Sequence, residues 1–242
     1  MKNIAFYFIA AVTMLAFTSC GDDLTPDVRT NTLFGFVEAD DEFGNVTDDE
    51  GFTVNLVDRE GNSIANTVTD VNGRYEFPNV AFGTYEITFD KEGYNTYRII
   101  SEVLDIEGPA PKLLGTSNIK AASSTVVDDD FDINENFSSY SFSITLSPED
   151  EVDREFVVFF STSDDVSKDK YDYAVNSFSV TKNTLAQYFE DGQIIYAVAH
   201  GETDFSRTYE DPNTLREVYY TVNDTPSNVV SFTFDAEVED IF

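Results

Sequence analysis

Tyr85, Ile87 and Phe89 alternate with Glu86, Thr88 and Asp90. A period of two puts successive side chains on opposite faces, so the segment is a strand with one dry face and one wet face. The same β-branched and aromatic style marks "FTVNLVD" (52–58), "GRYEF" (73–77), "NTYRII" (95–100) and "YSFSITL" (140–146). Turn signals separate the runs at "REGN" (59–62), "DVNG" (70–73) and "KEGY" (91–94), and Gly73 follows Asn72, a pair suited to a positive φ. No long helical period accompanies them. Short strands at this spacing predict an all-β chain of two consecutive antiparallel β-sandwich domains. The residues for two cores are present, with 41% of 242 positions hydrophobic, 22 Phe and 13 Tyr, unlike the aromatic-poor composition of disordered chains.

The segment "VNLVDREGNSIANTVTDVNGRYEFPNVAFGTYEITFDKEGY" (54–94) resembles the carboxypeptidase regulatory-like domain. Thr69-Asp70, Gly73, Tyr75 and Phe77 fall on one stretch of that family's pattern, and Gly83, Tyr85, Ile87, Gly93 and Tyr94 on the next. The resemblance implies a transthyretin-like sandwich. Gly73 permits a tight turn, Tyr75 and Phe77 share an inward face, and Gly83 lets the chain reverse. The segment 38–52 is longer and more acidic than the family's usual turn. These are fold residues, so the motif predicts architecture and says nothing of chemistry.

Two prolines and two glycines in "DIEGPAPKLLGTSN" (105–118) read as a domain edge. The expected first sandwich is therefore 32–110 and the second 111–242. In the second half "EFVVFFS" (155–161) is nearly all apolar, as a central strand buried on both faces would be. "QIIYAVAH" (193–200), "REVYYTV" (216–222) and "NVVSFTF" (228–234) complete the strands. "LAQYFEDGQIIYAVA" (185–199) resembles the E–F corner of fibronectin type III domains, which implies that Tyr196 bonds back to main chain. The tryptophan usual in that family is missing, since the chain has none. The expected second domain is fibronectin-III or immunoglobulin-like.

Lys2 precedes an apolar or weakly polar run from Ile4 to Phe17. That run is shorter than the roughly 20 residues a spanning helix needs and reads as a secretory signal over 1–19. Phe17-Thr18-Ser19-Cys20 resembles a bacterial lipobox, which implies acylation of Cys20 and cleavage just before it. Cys20 is the single cysteine, so no internal disulfide can form. Asp22-Asp23 resembles the export signal of Bacteroidetes surface lipoproteins. The resemblance implies an outer-membrane protein, held by lipid on Cys20 and facing the exterior, with 20–31 as tether; a periplasm-facing lipoprotein is the other reading. It further implies an accessory role in glycan or peptide uptake at an outer-membrane transporter; an adhesin or pilus-like spacer is the alternative. With 14 Lys+Arg against 46 Asp+Glu, the net charge of −32 repels nucleic acid and attracts divalent cations.

His200 is the only histidine and is expected on the surface at a strand end. With Cys20 committed to lipid, neither a His-based triad nor a zinc site has its partners, and a non-enzymatic protein is expected. Asp128, Asp129, Asp130, Asp132 and Glu135 are candidate ligands for Ca2+, which takes about 6–8 oxygens. Their spacing is not that of an EF-hand, and a solvated, self-repelling loop is the other reading. Tyr171, Tyr173 and Tyr209, in or near acidic loops, are candidate platforms for a sugar, or else rings half-packed at strand edges. "FSRTYEDPNTLRE" (205–217) is a long loop of the kind that carries recognition. The first strand, "TLFGFVE" (32–38), has no lysine, so the Lys–Asn crosslink of some related sandwiches is not expected.

Overall fold

The structure, a computed structural model, describes residues 30–103, 110–150, 153–204, 207–211 and 214–236. Cys20, the acids after it and the apolar run before it lie outside the described residues. The first sandwich consists of β1 (Thr30–Asp40), β2 (Thr53–Val57), β3 (Ser63–Val68), β4 (Arg74–Ala81), β5 (Gly83–Asp90), β6 (Tyr97–Val103) and β7 (Lys112–Lys120). One sheet has the order β4-β1-β7, the other β3-β2-β5-β6. Leu33, Val37, Leu56, Phe77, Ile87 and Phe89 fill the space between them with at most 1% exposure each. Burial of each contributes about 1.5–3 kcal/mol. Tyr75 and Tyr85 lie inward beside them.

Two features differ from expectation. The strand β7 begins inside the segment read as a domain edge, so the first sandwich extends through Lys120 rather than ending near 110. It also pairs with β1 in parallel, from Leu33↔Lys112 to Asp40↔Lys120, whereas the other pairings of this sandwich are antiparallel. Hairpins cannot make a parallel neighbour; the chain crosses from β6 in the opposite sheet. Leu113, Gly115 and Thr116 show no clean alternation, because an edge strand has fewer positions to bury.

Many of the acids in the first sandwich build turns. Asp41 accepts from the amides of Phe43 (2.9 Å) and Asn45 (2.8 Å). Asp58 does the same for Glu60 (3.0 Å) and Asn62 (2.8 Å), and Asp70 for Asn72 (2.8 Å) and Arg74 (3.0 Å). Each acid is followed three residues later by a glycine at positive φ: Gly44, Gly61 and Gly73. In the acidic segment 38–52, Asp49 Oδ1 also accepts from Ala39 N at 2.7 Å. At Gly73, φ is +69° and an added Cβ would stand 2.2 Å from the Val37 carbonyl oxygen. Both conformation and space exclude a side chain there.

The second sandwich contains β8 (Val126–Val127), β9 (Asp132–Glu135), β10 (Ser139–Ser143), β11 (Leu146–Ser147), β12 (Glu155–Ser161), β13 (Tyr173–Val175) and β14 (Ser179–Thr181). A short helix, α1 (Lys182–Leu185), follows, and then β15 (Ile194–Glu202), β16 (Thr208–Glu210), β17 (Glu217–Tyr219) and β18 (Val230–Thr233). The sheet β13-β12-β15-β18 packs across β14-β10-β9. The strand expected over 140–146 stops at Ser143, where the Thr145 carbonyl accepts from Asp128 N (3.0 Å), and resumes as β11. Within β12, Phe156, Val158 and Phe160 face the core formed with Tyr140, Ile195 and Phe234. Val157 and Phe159 face the other way and are equally buried, under Val166, Tyr171, Tyr219 and Val222. The two-faced strand is as the apolar run predicts.

The β16–β17 hairpin joins the two sandwiches. Tyr219 points to Phe159 of the second sandwich, ring centroids 5.4 Å apart. Tyr220, the next residue, belongs to the core of the first and meets Tyr97 at 4.9 Å. Tyr209 meets Tyr97 edge-on at 5.6 Å. Arg98 of β6 bridges Glu86, Nε to Oε1 at 3.0 Å, and Asp211 of the hairpin, Nη1 to Oδ2 at 3.0 Å. Buried Asn95 donates from Nδ2 to the Val222 carbonyl at 2.7 Å.

Two outcomes follow from this packing. Gly73→Ala loses about 1–3 kcal/mol to left-handed strain alone, and the Val37 overlap adds to it; urea unfolding of the two proteins measures the difference. Tyr220→Ala removes the hairpin ring seated in the first core; calorimetry is expected to show one transition for the wild type and two for the variant.

Candidate functional site

Where β13, the turn after α1 and the β17 approach converge, the second sandwich opens a cleft of about 430 Å³. Its floor is Tyr171 and Tyr219, centroids 6.1 Å apart. Both rest on Phe159, at 5.0 and 5.4 Å, because the outward face of β12 must be covered. Tyr171 is pinned by its hydroxyl, which donates to the Glu217 carbonyl. Tyr219 donates to Glu217 Oε2 at 3.3 Å. One lip is the pair Tyr173 and Tyr188, tilted by 31° with centroids 4.5 Å apart. Tyr188 is 50% exposed.

The opposite lip is Leu215 and Arg216. Leu215 N donates to the Asp211 carbonyl (2.8 Å), Asp211 N to the Arg216 carbonyl (2.8 Å), and Thr214 N to Asp211 Oδ1 (2.9 Å). This knot holds Leu215 at φ +56° and 73% exposed. Asp172 is oriented by Ser161 Oγ (2.9 Å) and Thr162 N (3.1 Å) and lies 3.9 Å from Arg216 Nη2. Burial pushes the Tyr171 hydroxyl up to about 12 and raises Tyr219 and Tyr173 as well. At neutral pH these phenols are therefore hydrogen-bond donors and not bases. The cleft lining is more polar than apolar: the half-exposed Tyr188 ring and Leu215 supply the apolar surface, and Asp172, Arg216 and Glu217 supply donors and acceptors around it.

Of the candidate platforms, Tyr173 lies at the cleft lip. Tyr171 is 8% exposed and forms the floor rather than an open platform, because Phe159 beneath it needs cover. Tyr209 lines a neighbouring depression but is committed to the joint, packed on Tyr97 and Tyr220. Sequence reasoning missed Tyr188; Leu215 and Arg216 lie in the segment 205–217 read as a long recognition loop, which instead carries β16 and the start of β17. An aromatic in the polar turn "QYFED" (187–191) is a faint signal for Tyr188, and nothing local signals the positive φ of Leu215.

The candidate calcium ligands do not converge. Asp128 accepts from Ser147 Oγ and Asp130 from Thr145 Oγ1, both at 2.8 Å. Asp132 caps Ile133 N at 2.9 Å. Glu135 pairs with buried Lys182 at 2.7 Å, which also meets Asp235 at 3.1 Å. The turn spreads the side chains to separate partners, and Asp129 stands exposed among them. Among the described residues no group of three or more His, Cys, Asp or Glu is placed to hold a metal ion.

Residues 41–111 match the family model of the carboxypeptidase regulatory-like domain. The chain carries a carboxypeptidase regulatory-like domain. The match omits β1 and β7, the two strands that form most of one of its sheets. A fibrinogen-binding protein of Staphylococcus epidermidis is 44% identical over 55 residues, which are 23% of this chain and 5% of that protein. Among solved structures, a "putative carbohydrate binding protein" from Bacteroides uniformis is 12% identical, with a TM-score of 0.32 over 84% of this chain and 99% of that one. A DUF3823 family protein from Parabacteroides merdae is 11% identical, with a TM-score of 0.28 over 73% of this chain and 92% of that one. These are loose likenesses, and the cleft is read from its own geometry.

His200 lies two residues from the end of β15 and is 3% exposed, not on the surface as expected. The following Gly201 continues the strand, paired with Phe156, and a Cβ there would stand 1.9 Å from the Thr125 carbonyl oxygen. His200 Nδ1 donates to the Asn223 carbonyl at 2.7 Å, Nε2 has no protein partner, and the ring sits edge-on to Phe159 at 5.6 Å. Tyr196, expected at a corner, lies within the sheet opposite Ser161 and Ser231.

Burial depresses the His200 pKa, with the Asn223 bond opposing. The unfolded chain takes up this proton near pH 6.5 while the folded chain resists it, so stability is lost as pH falls below that value. Relative to His200→Gln, the wild type becomes less stable between pH 7 and pH 5, by up to about 1.4 kcal/mol per pH unit. Paired urea titrations at the two pH values measure it.

Proposed function

We propose that this chain is a non-enzymatic surface protein, lipid-anchored through Cys20, that holds a glycan or peptide in the Tyr173–Tyr188 cleft as an accessory component of a nutrient-uptake system. The observation that carries the reading is the cleft itself. A tilted ring pair, Tyr188 exposed and Tyr173 half-buried, lines the cleft with Arg216 and Asp172 above a floor of protonated tyrosines. Rings of this kind cover the apolar face of a sugar, and the polar rim fixes its hydroxyls. The net charge of −32 supports a freely soluble exterior domain and disfavours nucleic acid as partner. The anchor rests on the lipobox-like Phe17–Cys20, and mass spectrometry of the mature amino terminus is expected to find a fatty acid on Cys20.

A glycan array probed with the fragment starting after Asp23 tests the ligand. Binding to a glycan class is expected, and Tyr188→Ala weakens it by about 1–2 kcal/mol, roughly ten- to thirtyfold in Kd. The tyrosine joint around Tyr97 favours a second reading, a stiff spacer or adhesin stalk. A spacer binds nothing on the array and is indifferent to Tyr188.

A further inference from the structure

We propose that the tyrosine cleft is one end of a longer groove that wraps the β16–β17 hairpin and takes a linear, uncharged oligosaccharide across both sandwiches. This rests on the glycan form of the binding reading above and adds the size and charge of the ligand.

Three depressions adjoin. A second, of about 140 Å³, shares Tyr171, Arg216 and Glu217 with the cleft. A third, of about 360 Å³, shares Arg98, Lys168, Asp169 and Tyr209 with the second. The far wall of the third is Tyr94, Asn95 and Thr96, which belong to the first sandwich. The series therefore begins at Tyr188 on one unit and ends at Thr96 on the other. Seven of the chain's 13 tyrosines line it. A single sugar fits the first depression and leaves the rest empty; a chain of sugars fills the series.

The charges select against a polyanion. Arg98 is already held by Glu86 and Asp211, and Lys168 meets Asp224 at 2.9 Å. Arg216 stands nearest Asp172, at 3.9 Å. Asp169 and Glu217 add acceptors beside them. An anionic chain would have to displace these carboxylates. Hydroxyl groups instead both donate and accept, and so can use paired cations and carboxylates as they stand.

The test uses the full mature chain and calorimetric titration with ladders of one to six sugars cut from starch, xylan and mannan, plus a uronic-acid ladder from pectin. Affinity is expected to rise by about tenfold or more from two sugars to six on at least one neutral ladder. Tyr188→Ala should weaken every length. Lys168→Ala, at a site with an exposed partner, should weaken only the longer members and leave the disaccharide unchanged; its melting temperature checks folding. A disaccharide that binds as tightly as the hexasaccharide confines the ligand to the cleft and overturns the extended groove, while the binding reading stands. Tighter binding of the pectin ladder than of all neutral ones overturns the charge selection. No binding by any ladder overturns both the groove and the glycan reading.

Discussion

Strand β12 has no polar face. Phe156, Val158 and Phe160 fill the core of the second sandwich, and that leaves Val157 and Phe159 on the side where a sandwich usually meets water. Two large apolar side chains exposed there would forfeit about 1.5–3 kcal/mol each. The chain therefore has to bring something across that face, and it brings Tyr171 and the strand ending in Tyr219. Both the cleft and the joint are consequences. The ring that covers Phe159 from one side is the floor of the cleft. The strand that supplies it ends at Tyr219, and the next residue, Tyr220, turns its ring the opposite way into the first sandwich.

Aromatic packing, not the ion pairs, sets this joint. Arg98 bridges the two units, yet its side chain is 27% exposed, and partly exposed pairs contribute about 0–1 kcal/mol. Tyr220 is 3% exposed and meets both Tyr97 and Tyr209. Buried ring pairs of this kind add about 0.5–1.5 kcal/mol beyond their area. Backbone bonds tighten the same region: Ser123 N donates to the Thr221 carbonyl at 2.6 Å and Ala122 N to the Gly93 carbonyl at 2.9 Å. The buried Glu202 sits among them, accepting from Thr203 N, Asp204 N and Thr221 Oγ1.

Period-two alternation made β5 legible residue by residue, and the unbroken apolar run made the double burial of β12 legible too. The conformation of Gly73 followed from its place after Asn72. What could not be read has a physical reason in each case. Strand β7 is an edge strand with a glycine at positive φ, so it resembles the linker it follows. His200 precedes a glycine, which reads as a loop; Gly201 instead pairs with Phe156 in the sheet, and the close approach of Thr125 leaves no room there for a side chain. Tyr171 and Tyr209 sit in polar stretches, and their burial depends on partners 12 and 112 positions away, Phe159 and Tyr97. Local pattern carries no information about contacts of that range. The cleft is legible only once the hairpin is seen to fold over β12.

The acidity of the chain divides into two uses. Asp41, Asp58 and Asp70 each tie a turn by accepting two backbone amides, and hydrogen bonds from Asn45 and Asn62 hold the first two carboxyls below the usual carboxylate range. Such acids are structural, and their charge is incidental to any partner. Around the hairpin Arg98, Lys168 and Arg216 each lie beside a carboxylate, as Lys120, Arg154, Lys170 and Lys182 do elsewhere on the chain. Placing cations there lowers the local field of a chain that is elsewhere strongly negative. These hairpin pairs are partly exposed and contribute about 0–1 kcal/mol each, so they offset local charge without fixing the fold, whereas the turn-building acids fix the backbone itself.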